Sequence, residues 1–110
     1  MPADAARDEV AARIRRAIAH HDPREVMMFG SLTFMVDGSI AVAARRGGAL
    51  LVRIDPRRRA ELLARPGVGP ALIGPTRTME ANWIEVAAEA IADDESLAYW
   101  LEISLQRHHR

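Results

Sequence analysis

The chain contains no cysteine and no lysine. The first absence rules out disulfides, thiol nucleophiles and cysteine-ligated metal, and it accords with a reducing cytoplasm, the location expected for this protein. The second removes the Schiff-base amine and the lysine of a phosphate loop. No apolar run approaches the roughly 18 residues that a membrane span requires, so no membrane association is expected. The N-terminal stretch MPADAARDEVAARIRR carries acids in an amphipathic pattern, where a secretory signal would be a short apolar block. Aromatic residues make up only 5 % of the chain and do not interleave with its cations, unlike a dedicated nucleic-acid binder.

What is present is enough for one packed domain over 1–110: the apolar fraction is 49 % of 110 residues. All fifteen basic residues are Arg, and twenty residues are Ala, which reads as the codon bias of a GC-rich genome and not as a binding signal. The zero net charge hides a positional asymmetry. Residues 31–77 hold eight Arg against Asp37, Asp55 and Glu61, a balance of +5, while residues 78–110 hold Arg107 and Arg110 against seven acids, a balance of −5. Such blocks either pair within the fold or between two subunits, or they form two differently charged solvated faces.

Hydrophobic periodicity gives the elements. Val10, Ile14, Ala17 and Ile18 recur at helical spacing and predict a helix over 4–20, closed by Pro23. From Val26 the period becomes two. Val26 to Phe29, then Leu32, Phe34 and Val36, predict one bent strand across 25–36 with a bulge at Gly30-Ser31. Asp37-Gly38 is a two-residue hairpin signal, and strands follow at Ile40, Val42, Ala44 and at Leu50, Val52, Ile54. Asp55 caps a helix with Pro56 at its first position and Leu62 and Leu63 as its apolar contacts. A weak strand at 71–73, a turn-rich stretch and a strand at 83–87 precede a last helix capped by Asp93 or Asp94. Its buried stripe is Leu97, Trp100, Leu101 and Leu105. The expected fold is α+β, a two-layer domain in the order α-β-β-β-α-β-β-α, with an antiparallel meander sheet packed by helices.

Few residues carry chemistry. The histidines form two adjacent pairs, His20-His21 and His108-His109, at the ends of helices; neighbours point about 100° apart, so neither pair chelates one ion, and no metal or cofactor is expected. Asp93, Asp94 and Glu95 read as caps. Glu85 lies between apolar neighbours in a strand and is expected to face solvent, the alternative being a buried carboxylate with a raised pKa. Gly67-Val68-Gly69 reads as a turn, and Ser31, Ser39, Ser96 and Ser104 sit in no nucleophile motif. The local anomaly is Arg57-Arg58-Arg59, three cations in the first turn of a helix, where they oppose the dipole. Either Asp55 and Glu61 compensate them, or the cluster answers to an anion or partner outside the fold, with Arg45 and Arg46 extending the patch.

The segment containing Met28-Phe29-Gly30 and Phe34-Met35-Val36-Asp37-Gly38 resembles the "MFGGLAFMVNG"-like signature of the TfoX N-terminal domain family, the competence-regulator type and its single-domain relatives. The match continues through Leu51-Val52-Arg53, Glu61-Leu62-Leu63-Ala64-Arg65-Pro66-Gly67, Asn82-Trp83-Ile84 and Leu97-Ala98-Tyr99-Trp100. Ser31 replaces a second glycine, and Glu80 and Asn82 depart from the family's later turn. The resemblance implies an α+β two-layer domain with no catalytic residues to map. The expected function is therefore a small non-catalytic regulatory or adaptor domain acting through an unidentified protein partner, in transcriptional or competence-type regulation. Three alternatives stay open. They are a homodimer through a sheet edge or the opposed charge blocks, a nucleic-acid contact module using Arg57, Arg58 and Arg59, and a small-molecule sensor or enzyme. The last would need a pocket near Met28, Phe34 and Trp83 with Glu85 turned inward.

Overall fold

A computed structural model of the chain describes residues 4–73 and 77–106. Helix α1 (Ala5–Ala17) is capped by the Asp4 carboxylate, which accepts from the Arg7 N–H at 2.9 Å, and a 3-10 turn over Ala19–His21 follows it. The strands β1 (Arg24–Met28), β2 (Ser31–Val36), β3 (Ser39–Ala44) and β4 (Leu50–Arg53) form an antiparallel meander. Asp55 then caps a 3-10 turn over Pro56–Arg58 that runs into the short helix α2 (Arg59–Leu63). Strand β5 (Val68–Pro70), a small hairpin of β6 (Leu72–Ile73) and β7 (Arg77–Thr78), and strand β8 (Trp83–Val86) lead to helix α3 (Asp94–Gln106). The six-stranded sheet has the order β1-β2-β3-β4-β8-β5. This is the expected α+β architecture, with His108-His109 lying outside the described residues.

Two expectations need correction. The segment 25–36 is not one bent strand but a tight hairpin, in which Met28 faces Ser31 and Phe29-Gly30 is the turn. Both turn residues have positive φ, 51° at Phe29 and 81° at Gly30, the same geometry as the expected Asp37-Gly38 turn at 53° and 82°. The bulge lies elsewhere: between Phe34–Val42 and Met35–Ile40 the register of β2 and β3 slips, leaving Ala41 as the extra residue. The second correction concerns 67–70. Gly67 does turn, at φ 78°, but Val68, Gly69 and Pro70 pair with β8 as the edge strand of the sheet. An edge is where a strand accepts proline, because the missing N–H faces outward.

The core forms on one face. Val10, Ala11, Ile14 and Ile18 from the first helical segment and Leu97, Trp100, Leu101 and Leu105 from α3 pack onto Phe34, Val42, Leu50, Val52, Ile84 and Val86. Arg13 bridges the helices, its Nη2 lying 3.2 Å from the Asp94 carboxylate. Asp93 caps α3, accepting from the Ser96 N–H at 2.9 Å and from the Ser96 hydroxyl at 2.8 Å, and these bonds hold its carboxyl below the usual range.

Two measurements check these features. A bulky side chain at φ 51° carries a left-handed cost of about 1 kcal/mol, and Phe29 is fully exposed, so no burial offsets it. Phe29→Asn, which creates an Asn-Gly turn, is expected to raise the unfolding free energy in urea by about 1 kcal/mol. Asp93, Asp4 and Glu25 all titrate below their usual values, held down respectively by Ser96, the Arg7 N–H and Arg15. Their folded pKa is the depressed one, so the stability they confer is present above the ordinary carboxylate range and is lost as pH falls through it. The melting temperature is expected to drop below about pH 4, and Asp93→Ala should blunt that dependence.

Candidate functional site

The other face of the sheet is where the strands leave room. Cross-strand pairing puts Thr33, Ala43, Leu51 and Glu85 in one row across β2, β3, β4 and β8. A second, smaller apolar cluster of Ala43, Leu51, Ala71 and Trp83 forms there, with Ile40 and Met79 against it. The cover is formed by residues 71–73 and 77–79, joined by the Met79 N–H donating to the Ala71 carbonyl at 2.8 Å. Arg45 fastens it: Nη1 donates to Glu85 Oε1 at 2.8 Å and Nη2 to the Leu72 carbonyl at 3.1 Å. The cover stops short of β1 and β2. Between it and the Phe29-Gly30 turn lies an apolar groove of about 520 Å³, with Ala43 and Leu51 in its lining, Ser31 and Thr33 along β2, and Trp83 and Met79 on the far side.

Part of this pocket was anticipated. Met28 and Trp83 line it, but Phe34 is fully buried on the helix-packed face, because strand alternation sends it opposite to Thr33. Glu85 is neither free in solvent nor an isolated buried acid; its half-exposed carboxylate is the partner of Arg45. Ser31 and Thr33, neither of them an expected pocket residue, are 9 % and 3 % exposed. Their hydroxyls have no hydrogen-bond partner among the described residues and are not sealed from the groove. Their alternation with Leu32 and Phe34 was the available signal, since it sets two short polar side chains on one face of a strand.

The arginines are largely engaged inside the fold. Arg57 pairs with Asp55 at 2.7 Å and Arg58 with Glu61 at 3.0 Å, and each acid keeps its partner's guanidinium charged. Arg59 donates to the Trp83 carbonyl at 2.9 Å and to that of Ala81 at 3.3 Å, tying α2 to β8. Arg45 joins the basic block to the acidic one through Glu85, and the Arg46 guanidinium lies against Gly30, where any Cβ would run into it. The His20 and His21 rings lie against each other at a 47° tilt, 4.2 Å between centroids, and among the described residues no group of three metal-ligating side chains forms.

A model of the TfoX N-terminal domain family matches residues 22–108, from the β1–β2 hairpin through α3. The chain belongs to the TfoX N-terminal domain family. This TfoX N-terminal domain is also similar in fold to a crystal structure of a protein from Pseudomonas syringae, with a TM-score of 0.65 at 15 % identity, covering 88 % of this chain and 96 % of the other. No curated protein matches it. In this TfoX N-terminal domain the signature residues split between the two faces. Phe34 and Val36 serve the helix-packed core, while Met28 and Phe29 border the groove.

The Arg45 clamp is directly testable. Arg45→Met leaves the Leu72 carbonyl and the Glu85 carboxylate without their donor, a loss of about 1 kcal/mol for a partly exposed pair, or roughly fivefold in local opening. Amide exchange at Met79 is expected to accelerate by that factor, while exchange in β2 and β3 stays unchanged.

Proposed function

We propose that this domain is a regulatory adaptor without chemistry of its own, which works by adding an extended segment of a partner protein to the free edge of β1. The observation that carries this reading is the edge itself. In a two-residue hairpin the flanking pair, here Met28 and Ser31, exchanges both hydrogen bonds, so the backbone groups of Met27 and Glu25 point away from the sheet. A row of unpaired N–H and C=O groups is a template for another strand. Beside it stand two large apolar side chains in water, Met27 at 53 % and Phe29 at 101 % exposure. A partner strand with apolar residues at alternate positions would cover Met27.

The non-catalytic part rests on the groove's chemistry. No histidine or carboxylate lines it among the described residues, so the Ser31 and Thr33 hydroxyls have no base beside them. The arginine cluster supports the same reading, because Asp55 and Glu61 already neutralise Arg57 and Arg58. Family membership favours transcriptional or competence-type regulation as the process served.

Affinity capture from nuclease-treated host lysate, with wild type and Met27→Pro side by side, tests the proposal. Proline is tolerated at an edge position whose N–H faces outward, so the variant should keep its circular dichroism and melting temperature. One protein recovered near stoichiometry by wild type and lost from Met27→Pro is the expected result. Equal recovery on both, an empty eluate, or retained nucleic acid that washes off steeply with salt would each overturn it.

A further inference from the structure

The groove on the second face has a feature that the edge reading does not use. Ser31 and Thr33 are each more than nine-tenths buried, yet their hydroxyls have no partner among the described residues and remain open to the groove. A hydroxyl open to an apolar groove keeps its hydrogen-bonding capacity for whatever occupies the groove, whether water or a ligand atom that replaces it. They stand two residues apart on one face of β2, about 7 Å along the strand. Opposite them the walls are apolar: Leu51, Ile40, Met79 and Trp83. Ala43 faces Thr33 across β3, and its small side chain leaves the floor low at that point. The volume of about 520 Å³ falls within the range of small-ligand pockets.

We propose that this groove is the binding site of a neutral, predominantly apolar small molecule, carrying hydrogen-bonding atoms along the edge that meets Ser31 and Thr33. Neutrality follows from Arg45. It is the one ionisable group in the lining among the described residues, and its charge is already matched by Glu85 at 2.8 Å. An anionic ligand would have to compete with that carboxylate, and with the hold on Leu72 that depends on the same guanidinium. Phe29 borders the mouth with its ring in solvent, so a ligand reaching past Ser31 would meet an aromatic face there. The site is separate from the outward edge of β1, so it stands or falls independently of the adaptor reading.

The probes are N-phenyl-1-naphthylamine, which is neutral with a single N–H, and its sulfonated counterpart 1-anilinonaphthalene-8-sulfonate. Binding is followed by fluorescence and by amide shifts of Thr33, Leu51 and Trp83 in the intact chain. The neutral probe is expected to bind one to one with those shifts, and the sulfonate at least tenfold more weakly. Ala43→Leu, which fills the floor, should abolish binding. Thr33→Val should weaken it about threefold to tenfold, the range of one net hydrogen bond, while the ligand-free protein becomes no less stable, because the lost hydroxyl had no partner. Met27→Pro should bind the probe like wild type, so failure here and failure of the edge reading are distinguishable. No binding by wild type, binding indifferent to both groove variants, or tighter binding of the sulfonate would overturn the proposal. A clear loss of stability in Thr33→Val without ligand would also overturn it, since that hydroxyl would then serve the fold.

Discussion

Arg45 donates to the Glu85 carboxylate and to the Leu72 carbonyl, and the layout of the sheet's second face depends on that fork. The two long helices both pack on the opposite face, where they bury the large apolar residues of β2, β3, β4 and β8. What remains to shield Leu51 and Trp83 is a short hairpin whose own apolar residues, Leu72 and Ile73, point largely outward. Such a cover contributes little burial of its own. A guanidinium with several fixed donors can instead hold it by joining a strand carboxylate to a hairpin carbonyl, a geometry no single-point cation reproduces. The partial cover and the groove beside it are one arrangement seen from two sides.

The same economy governs the arginines elsewhere. Many of the fifteen arginines are placed where acids or carbonyls answer them. Three cations at the start of α2 would be unfavourable alone, yet Asp55 and Glu61 flank them and Arg59 reaches back to β8. Each cation of the run thus has a partner in the fold, while the Arg57 side chain stays largely in solvent. Arg65 adds to this, lying 4.2 Å above the Tyr99 ring and so fixing the loop before β5 against α3.

Most of the fold was legible because most of it obeys period and punctuation. The stripe of Leu97, Trp100, Leu101 and Leu105, the Asp37-Gly38 turn and the Asp55-Pro56 cap all have a single structural solution. The Phe29-Gly30 turn escaped because phenylalanine disfavours positive φ, so nothing in the local chemistry distinguishes a turn there from a bulge. Strand β5 escaped because three residues with glycine and proline show no alternation; only pairing with β8 makes them a strand. The candidate groove was half legible. Met28 and Trp83 line it as the sequence suggests, but Phe34 lies on the other face, because the Phe29-Gly30 turn sets the register that sorts the faces. Ser31 and Thr33 carry no signal of a groove, since in sequence a half-polar strand face looks like one turned to water.

The strand order also sets the sequence of events in assembly. Strand β8 lies between β4 and β5, so β5 has no partner within the main sheet until residues 83–86 have been made. The first four strands pair with their neighbours over short separations and α1 covers part of their apolar face, but the rest is covered by α3, the last described element. During synthesis on the ribosome, a nascent chain ending before β8 therefore exposes the β4 edge together with uncovered aliphatic residues. Completing the sheet and its helical layer thus depends on the C-terminal third of the chain.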